Sequence, residues 1–349
     1  MKIDQLPEDT LPMSAGNVAT ANACELCGAE LRLVRSDFPG YQMPHRFAIY
    51  DCAACRTMVA SPKAISPEVY EAIYRDPSAV AGYDRYAYFA KAVARAKAPL
   101  DFLAERGQMY WAVREFLKQR SPRRVLEIGS GLGYLTFALN KAGYAAMGID
   151  LSSEAVQAAT ARFGAHYVCS TLEDFGRAHP QRFDTIVMTE VIEHLVDPAA
   201  TIQAAFALLE PGGSLFITTP NRSFGADEDV WHTELPPVHL WWFSEDSVRA
   251  LAAKTGASVA FLDFAAYNAK YPPLVGFVGI TEPSFDETGR VVQRESTPIR
   301  ALRKLGLLQD VYRYVSRAAG LAGVKGIVRD GGSRGFIIAA ALTPAVAAP

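Results

Sequence analysis

Four cysteines fall in two pairs, Cys24-Glu-Leu-Cys27 and Cys52-Ala-Ala-Cys55, with 24 residues between them. A CxxC spacing brings two sulfurs together on one tight turn, and two such turns complete the tetrahedral thiolate set that Zn(II) prefers. A segment this short gains little from apolar burial alone, so a metal held by Cys24, Cys27, Cys52 and Cys55 is expected to organise it. A closed four-thiolate site has no open coordination position. The expected role is therefore a structural clip, with contact to a substrate or partner as the alternative. Cys169 ends an apolar run and is expected to be a small buried side chain rather than a nucleophile.

A second group of residues suits a nucleotide-like ligand. Val125-Leu-Glu127-Ile-Gly129-Ser130-Gly131-Leu-Gly133-Tyr134 places three glycines where backbone must approach a ligand closely, between a strand pattern and a helix pattern beginning near Leu132. Gly-Ile-Asp150 closes the next strand, where a carboxylate accepts two ribose hydroxyls. Tyr134 stands where a dinucleotide fingerprint has its last glycine, which argues against a pyrophosphate-bearing cofactor. A third group, Glu190, Glu193 and His194, lies at i, i+3 and i+4, and is expected to share one helical turn. With His239 further along, these residues offer a proton acceptor or, as a mixed carboxylate and imidazole set, ligands for a divalent metal.

These groups need a scaffold, and the sequence reads as an α/β fold. Short apolar runs at Arg124 to Ile128, Ala145 to Ile149, His166 to Cys169, Phe183 to Met188, Ser214 to Thr218 and Ser258 to Asp263 alternate with helical stretches. Gly335 to Ala341 supplies a seventh. This alternation implies a mostly parallel sheet with helices on both faces. The expected organisation is a flexible leader at 1–22, a zinc ribbon at 23–62 with strand pieces at Glu30 to Val34 and Arg46 to Tyr50, a tyrosine-rich helical connector at 63–120, a core at 121–268, a helical lid insertion at 269–333, and the last core strand with its tail at 334–349.

With 35 basic and 37 acidic residues the net charge is -2, so no global field attracts nucleic acid or an anionic membrane. No run approaches the roughly 20 apolar residues of a membrane span, and the start, MKIDQLPEDTLPM, lacks the basic-then-apolar order of a secretory signal. A cytoplasmic protein with a small-molecule substrate, and with neither membrane nor nucleic acid as partner, is expected. His45, His166 and His179 are expected at the surface, and Trp231 and His232 in a loop over the site.

The E-x-G-x-G-x-G spacing of Glu127 to Gly133 resembles the first motif of class I S-adenosylmethionine-dependent methyltransferases. Further matches follow in order. Ser170 to Phe175 resembles the loop that brackets the adenine, Phe183 to His194 the segment beneath the methyl group, and Leu208 to Asn221 the turn into strand five. The resemblance covers about residues 121–266 and 334–342. It implies a Rossmann-like seven-stranded sheet, S-adenosylmethionine as cofactor, Glu127 near its amino-acid part and Asp150 on its ribose, with contacts from Gly129, Ser130, Gly131, Gly133, Tyr134, Leu151, Thr171, Leu172 and Glu190. It further implies catalytic roles among His194, His239, Glu190 and Glu193. The E-x-x-E-H segment is similar to one that holds a divalent metal in ubiquinone-pathway O-methyltransferases and in small-RNA 2′-O-methyltransferases.

The order of ribbon, tyrosine-rich segment and core resembles bacterial sugar and natural-product methyltransferases, which implies methyl transfer to oxygen or carbon of a sugar or nucleotide-linked sugar. Those proteins carry a different, longer C-terminal domain. Here the insertion has helical periodicity over Pro298 to Ala319 and, from Lys270 to Asp330, ten basic against six acidic residues. That charge fits either a solvated helix face or a phosphorylated substrate. Two alternatives stay open: a metal-assisted RNA or quinol O-methyltransferase, and a non-catalytic zinc-ribbon interaction protein.

Overall fold

The computed structural model describes residues 23–41, 45–63, 70, 73–75, 84–224, 234–272, 284–285, 291–292, 298, 302, 307–323 and 335–345. The expected leader, Trp231 with His232, and most of the expected insertion lie outside the described residues.

The cysteine segment forms an antiparallel meander of β1 (Arg32–Pro39), β2 (Arg46–Cys52) and β3 (Thr57–Ser61). It carries one strand more than the sequence suggested. The helical connector follows as α1 (Asp84–Ala92), α2 (Pro99–Ala104) and α3 (Gln108–Arg120). Next come β4 (Arg124–Ile128), α4 (Tyr134–Lys141), β5 (Ala145–Asp150), α5 (Ser153–Phe163), β6 (Tyr167–Cys169), α6 (Leu172–Ala178), β7 (Phe183–Thr189), α7 (Pro198–Phe206) and β8 (Leu209–Pro220). After β8 the chain forms β9 (Trp241–Trp242), α8 (Glu245–Lys254), β10 (Ala257–Phe261) and α9 (Ala265–Lys270). A short pair, β11 (Ser284–Phe285) with β12 (Val291–Val292), precedes α10 (Leu308–Leu321) and β13 (Ile337–Pro344).

Seven strands make the main sheet, in the order β10-β13-β8-β7-β4-β5-β6. The pairs from β8 through β6 are parallel, whereas β13 runs antiparallel to both neighbours. Each central strand is apolar on both sides because both faces are covered. Val125, Val187 and Phe216 pack on the face of α1 to α4, while Leu126, Ile186, Leu215 and Ile217 pack on the face of α6 to α8. Local chemistry starts the helices where the sheet needs them. Ser152 accepts from the Ala155 amide at the head of α5, and Ser244 with Ser247 forms a capping box at the head of α8.

The ribbon is not a separate bead. Its sheet has the order β1-β2-β3-β9, so a strand from the segment after β8 completes it. Arg222, just past β8, reaches Asp51 of β2 at 2.6 Å, and the Ser244 hydroxyl donates to the Cys55 carbonyl at 2.8 Å. Cys24, Cys52 and Cys55 belong to the same continuous core as the sheet's α6 to α8 face.

Candidate functional site

Parallel pairing of β4 with β5 sets Ile128 opposite Ile149, so Gly129 and Asp150 emerge side by side at the carboxyl ends of the strands, where open α/β sheets bind ligands. The Gly129 and Ser130 amides both donate to the Ile149 carbonyl, turning the chain away from the sheet. Two glycines are obligatory here. Gly129 has φ +74°, and a Cβ on it would stand 2.5 Å from Val191 Cγ2; Gly133 has φ +76°, and its Cβ would meet Ala159 at 2.6 Å. Helix α4 starts at Tyr134, with Gly133 as N-cap, two residues later than expected.

Beyond these strand ends lies a cavity of about 640 Å³, within the usual range for small-molecule sites. Glu127, Gly129, Ser130, Gly131, Tyr134, Asp150, Leu151, Thr171, Leu172 and Glu190 all line it, whereas Gly133 shapes the loop from outside the wall. Asp150 is held from two sides, by the Gly131 amide at 2.8 Å and the Ser152 amide at 2.9 Å. The Tyr74 hydroxyl also donates to it. Burial nevertheless raises the Asp150 pKa. Glu127, buried behind the loop, accepts from the Thr136 hydroxyl, and burial pushes its carboxyl up to about 8.

At the other end of the cavity the expected helical turn over Glu190 to His194 is a 3-10 turn that begins only at Ile192. Glu190 precedes it with φ +54°, so Glu190 and Glu193 do not share a helix face. Glu190 lines the cavity and accepts from Thr218 at 2.9 Å, while Glu193 turns inward and accepts from Thr219 at 3.0 Å. The His194 Nδ1–H donates to the Val238 carbonyl at 2.6 Å, which makes Nε2 the acceptor of the neutral ring. His239 packs edge-on against His194 with ring centroids 4.6 Å apart. Burial lowers His194 to about 4, lowers His239 well below its ordinary value, and raises Glu193 well above its own, so His194 is neutral at pH 7. Glu193 Oε1 and His239 Nδ1 are buried without a hydrogen-bond partner, and ligand atoms of Glu193, His194 and His239 lie within 4.8 Å of one another. Glu190, the fourth expected ligand, is not in that group.

Residues 103–260 match the family described as "Methyltransferase domain". These residues are a methyltransferase domain. Its segments resemble ubiquinone biosynthesis O-methyltransferases, at 34% identity over 110 residues in Saccharophagus degradans and 38% over 109 residues in Aromatoleum aromaticum. Each match spans 30% of this chain and 47% of the relative, so the chain matches about half the length of these relatives. Among solved structures, the plantazolicin methyltransferase BpumL in complex with a desmethylPZN analog and SAH is 15% identical, with a TM-score of 0.42, over 78% of this chain and 93% of that one.

Around the methyltransferase domain several features escaped the sequence reading. Tyr74 of the helical connector reaches over the glycine loop, where a Cβ on Gly131 would stand 3.3 Å from its ring, while Tyr70 packs edge-on against His194, and both line the cavity with Tyr86 and Tyr110. Arg85 acts electrostatically on both Glu190 and Glu234, and Glu190 helps to raise Glu234, yet neither Arg85 nor Glu234 sits in a motif. Cys169 is exposed rather than buried, because β6 is the sheet's edge strand and ends there, and its thiol reaches only the Leu151 carbonyl. His45 and His166 are exposed, while His179 is half-buried and stacks on Phe175 at 4.3 Å. The four ribbon thiols converge as expected, with Cys24 Sγ 3.6 Å from Cys55 Sγ and Cys27 Sγ 3.5 Å from Cys52 Sγ. All four sulfurs lie within 4.8 Å of one another, a donor set that fits Zn(II).

Glu127 gives a first prediction. Its folded pKa of about 8 lies above the unfolded value, so between roughly pH 4.5 and 8 the native state holds a proton that the unfolded chain releases. Stability must then fall as pH rises through that window, by up to about 1.4 kcal/mol per pH unit. Urea unfolding of the wild type and of Glu127→Gln should diverge from pH 5 to pH 8, the wild type losing ground. Parallel profiles would show that Glu127 ionises normally.

Proposed function

We propose that the protein is an S-adenosylmethionine-dependent methyltransferase that methylates an oxygen or carbon of a small hydroxylated metabolite, a sugar or nucleotide-linked sugar being the substrate class that its ribbon-and-core organisation implies. The observation that carries this reading is that one cavity is lined by Glu127 and Asp150 at one end and by Glu190 and His194 at the other. When bound, S-adenosylmethionine supplies an electrophilic methyl group on a sulfonium. The chain's own residues do the rest. Asp150, fixed by two backbone amides, accepts from ribose hydroxyls, and Glu127 faces the cationic amino-acid end. The tyrosine wall from Tyr70, Tyr74 and Tyr86 keeps water from the reacting atoms. His194 Nε2, held as an acceptor by the bond to Val238, takes the acceptor's hydroxyl proton as the new bond forms and the carbon–sulfur bond breaks.

His194→Ala is expected to lower methyl transfer by about 10²- to 10⁴-fold, the usual weight of a positioned base, with S-adenosylhomocysteine affinity nearly unchanged. An equal loss in both would make His194 part of the cofactor site. The class itself is tested by calorimetric titration with S-adenosylhomocysteine, with NAD as control. Binding of NAD, or of neither, would overturn the reading of Glu127 to Gly133.

One observation favours a second reading. The unpartnered Glu193 Oε1 and His239 Nδ1 beside His194 fit a divalent cation, as a metal-assisted quinol O-methyltransferase would require. Loss of turnover on chelation, restored by Mg(II) or Mn(II), would select it; chelator-insensitive turnover would dismiss it.

A further inference from the structure

Glu190 stands just past β7 with φ +54°, a left-handed backbone that a glutamate seldom adopts. Two bonds to one residue hold it there. The Glu190 amide donates to the Thr218 carbonyl at 3.0 Å, and the Thr218 hydroxyl donates to Glu190 Oε1 at 2.9 Å. Thr218 is fully buried in β8 and lies opposite Thr189 of β7, so the clamp belongs to the sheet itself. Strained backbone kept by its surroundings is a mark of ligand-binding positions. Burial raises the Glu190 pKa, while Arg85 and the Thr218 hydroxyl lower it and so favour the anion. Glu190 lines the cavity and Arg85 does not, which makes the carboxylate the charge that a ligand meets.

The cavity runs over the ends of β6, β5, β4 and β7, neighbours in that order, which supply Thr171, Asp150, Gly129 and Glu190. With S-adenosylmethionine as the cofactor proposed above, on which this inference rests, the ribose at Asp150 lies two strand spacings, roughly 10 Å, from Glu190. The ribose, its 5′ carbon and the sulfonium with its methyl bridge that span, with a contact at each end. Five carboxyl residues line the cavity, and among the described residues no lysine or arginine does. Asp150 is taken by two amides, Glu127 accepts from Thr136, Glu154 is paired with Arg75, and Glu173 is exposed. Glu190 is left to meet a positive centre on the ligand. We infer that Glu190, clamped by Thr218, is the counter-charge that recognises the sulfonium and distinguishes the charged methyl donor from the neutral thioether it becomes. Away from bulk water such an attraction is strong. As the methyl bonds to the acceptor and the acceptor's proton passes to the base, the carbon–sulfur electron pair stays on sulfur. The positive charge there is gone, and the product is held less tightly than the donor.

The test is calorimetric titration of the full chain with three ligands: S-adenosylmethionine, sinefungin, in which a carbon bearing an ammonium replaces the methylated sulfur, and S-adenosylhomocysteine. Glu190→Gln keeps an acceptor for Thr218 and removes the charge. It is expected to weaken the two ligands that are cationic at this centre by at least about tenfold, and S-adenosylhomocysteine by less than about twofold. Thr218→Val should move the same two ligands in the same direction by a smaller factor, and Thr218→Ser should restore them. A melting temperature near that of the wild type separates either effect from misfolding. Equal loss of all three ligands would overturn the inference by placing Glu190 on the amino-acid end. Unchanged affinity for all three would also overturn it, leaving Glu190 to the acceptor. A wild type that binds none of the three would overturn the cofactor reading, and this inference with it.

Discussion

Asp150→Ala is expected to weaken S-adenosylhomocysteine binding by about ten- to a hundredfold, or roughly 1 to 3 kcal/mol. The carboxylate stands at the end of β5 and accepts from the Gly131 and Ser152 amides on either side. Under the function proposed above, alanine removes the acceptor for ribose hydroxyls; it also leaves the Gly131 and Ser152 amides without their partner, so the glycine loop loses its anchor. Calorimetry on the variant, with thermal unfolding as the control for folding, separates these effects. An unchanged dissociation constant would remove the ribose from Asp150.

Cys52→Ser carries the second large effect. The side chain is buried, and its sulfur lies 3.5 Å from Cys27 in the four-thiol cluster. Metal content should fall from about one zinc per chain to a small fraction, because three thiolates bind far more weakly than four. A loss of several kcal/mol corresponds to a fall in melting temperature on the order of 10 °C for a protein of this size. The damage should pass beyond the ribbon: β9 pairs with β3 directly after His239, and Trp241 donates to the Leu195 carbonyl next to His194. Methyl transfer is therefore expected to drop while S-adenosylhomocysteine affinity holds, since Asp150 and the glycine loop lie on other strands. Zinc remaining at one per chain would refute the ribbon, and loss of both activities together would refute the division between the two ends of the cavity.

Much of the core was legible because its strands are buried on both faces. β4 runs over Arg124–Ile128, the span expected from its apolar run, and β5 and β7 differ from expectation by one residue at one end. The glycine loop and Asp150 were legible for a related reason, since close backbone approach admits few residue types. What escaped depended on distant pairing. β9 has two residues, too few for any periodicity, and exists because β3 offers an edge. Tyr74 carries no motif, and only the return of the chain over Gly131 gives it Asp150 as a partner. Glu190 left the expected turn because β7 continues to Thr189 and the chain bends there with a positive φ. The periodicity of α10 was visible as a stripe, but periodicity has no direction, and only Asp310 and Arg313 with their partners show that the stripe faces outward.

The place of β13 between β8 and β10 bears on how the chain is made. β8 ends at Pro220, and its outer partner begins at Ile337, more than a hundred residues later. At roughly 5 to 20 residues per second a ribosome takes on the order of 10 s to cover that distance. For that time β8 is a bare edge, its backbone amides and carbonyls open to any passing strand. β10 is translated first and cannot take the place beside β8 without blocking the strand that belongs there. The nascent chain is thus most prone to aggregate between the emergence of β8 and that of β13, and slow translation across this stretch should lengthen that exposure.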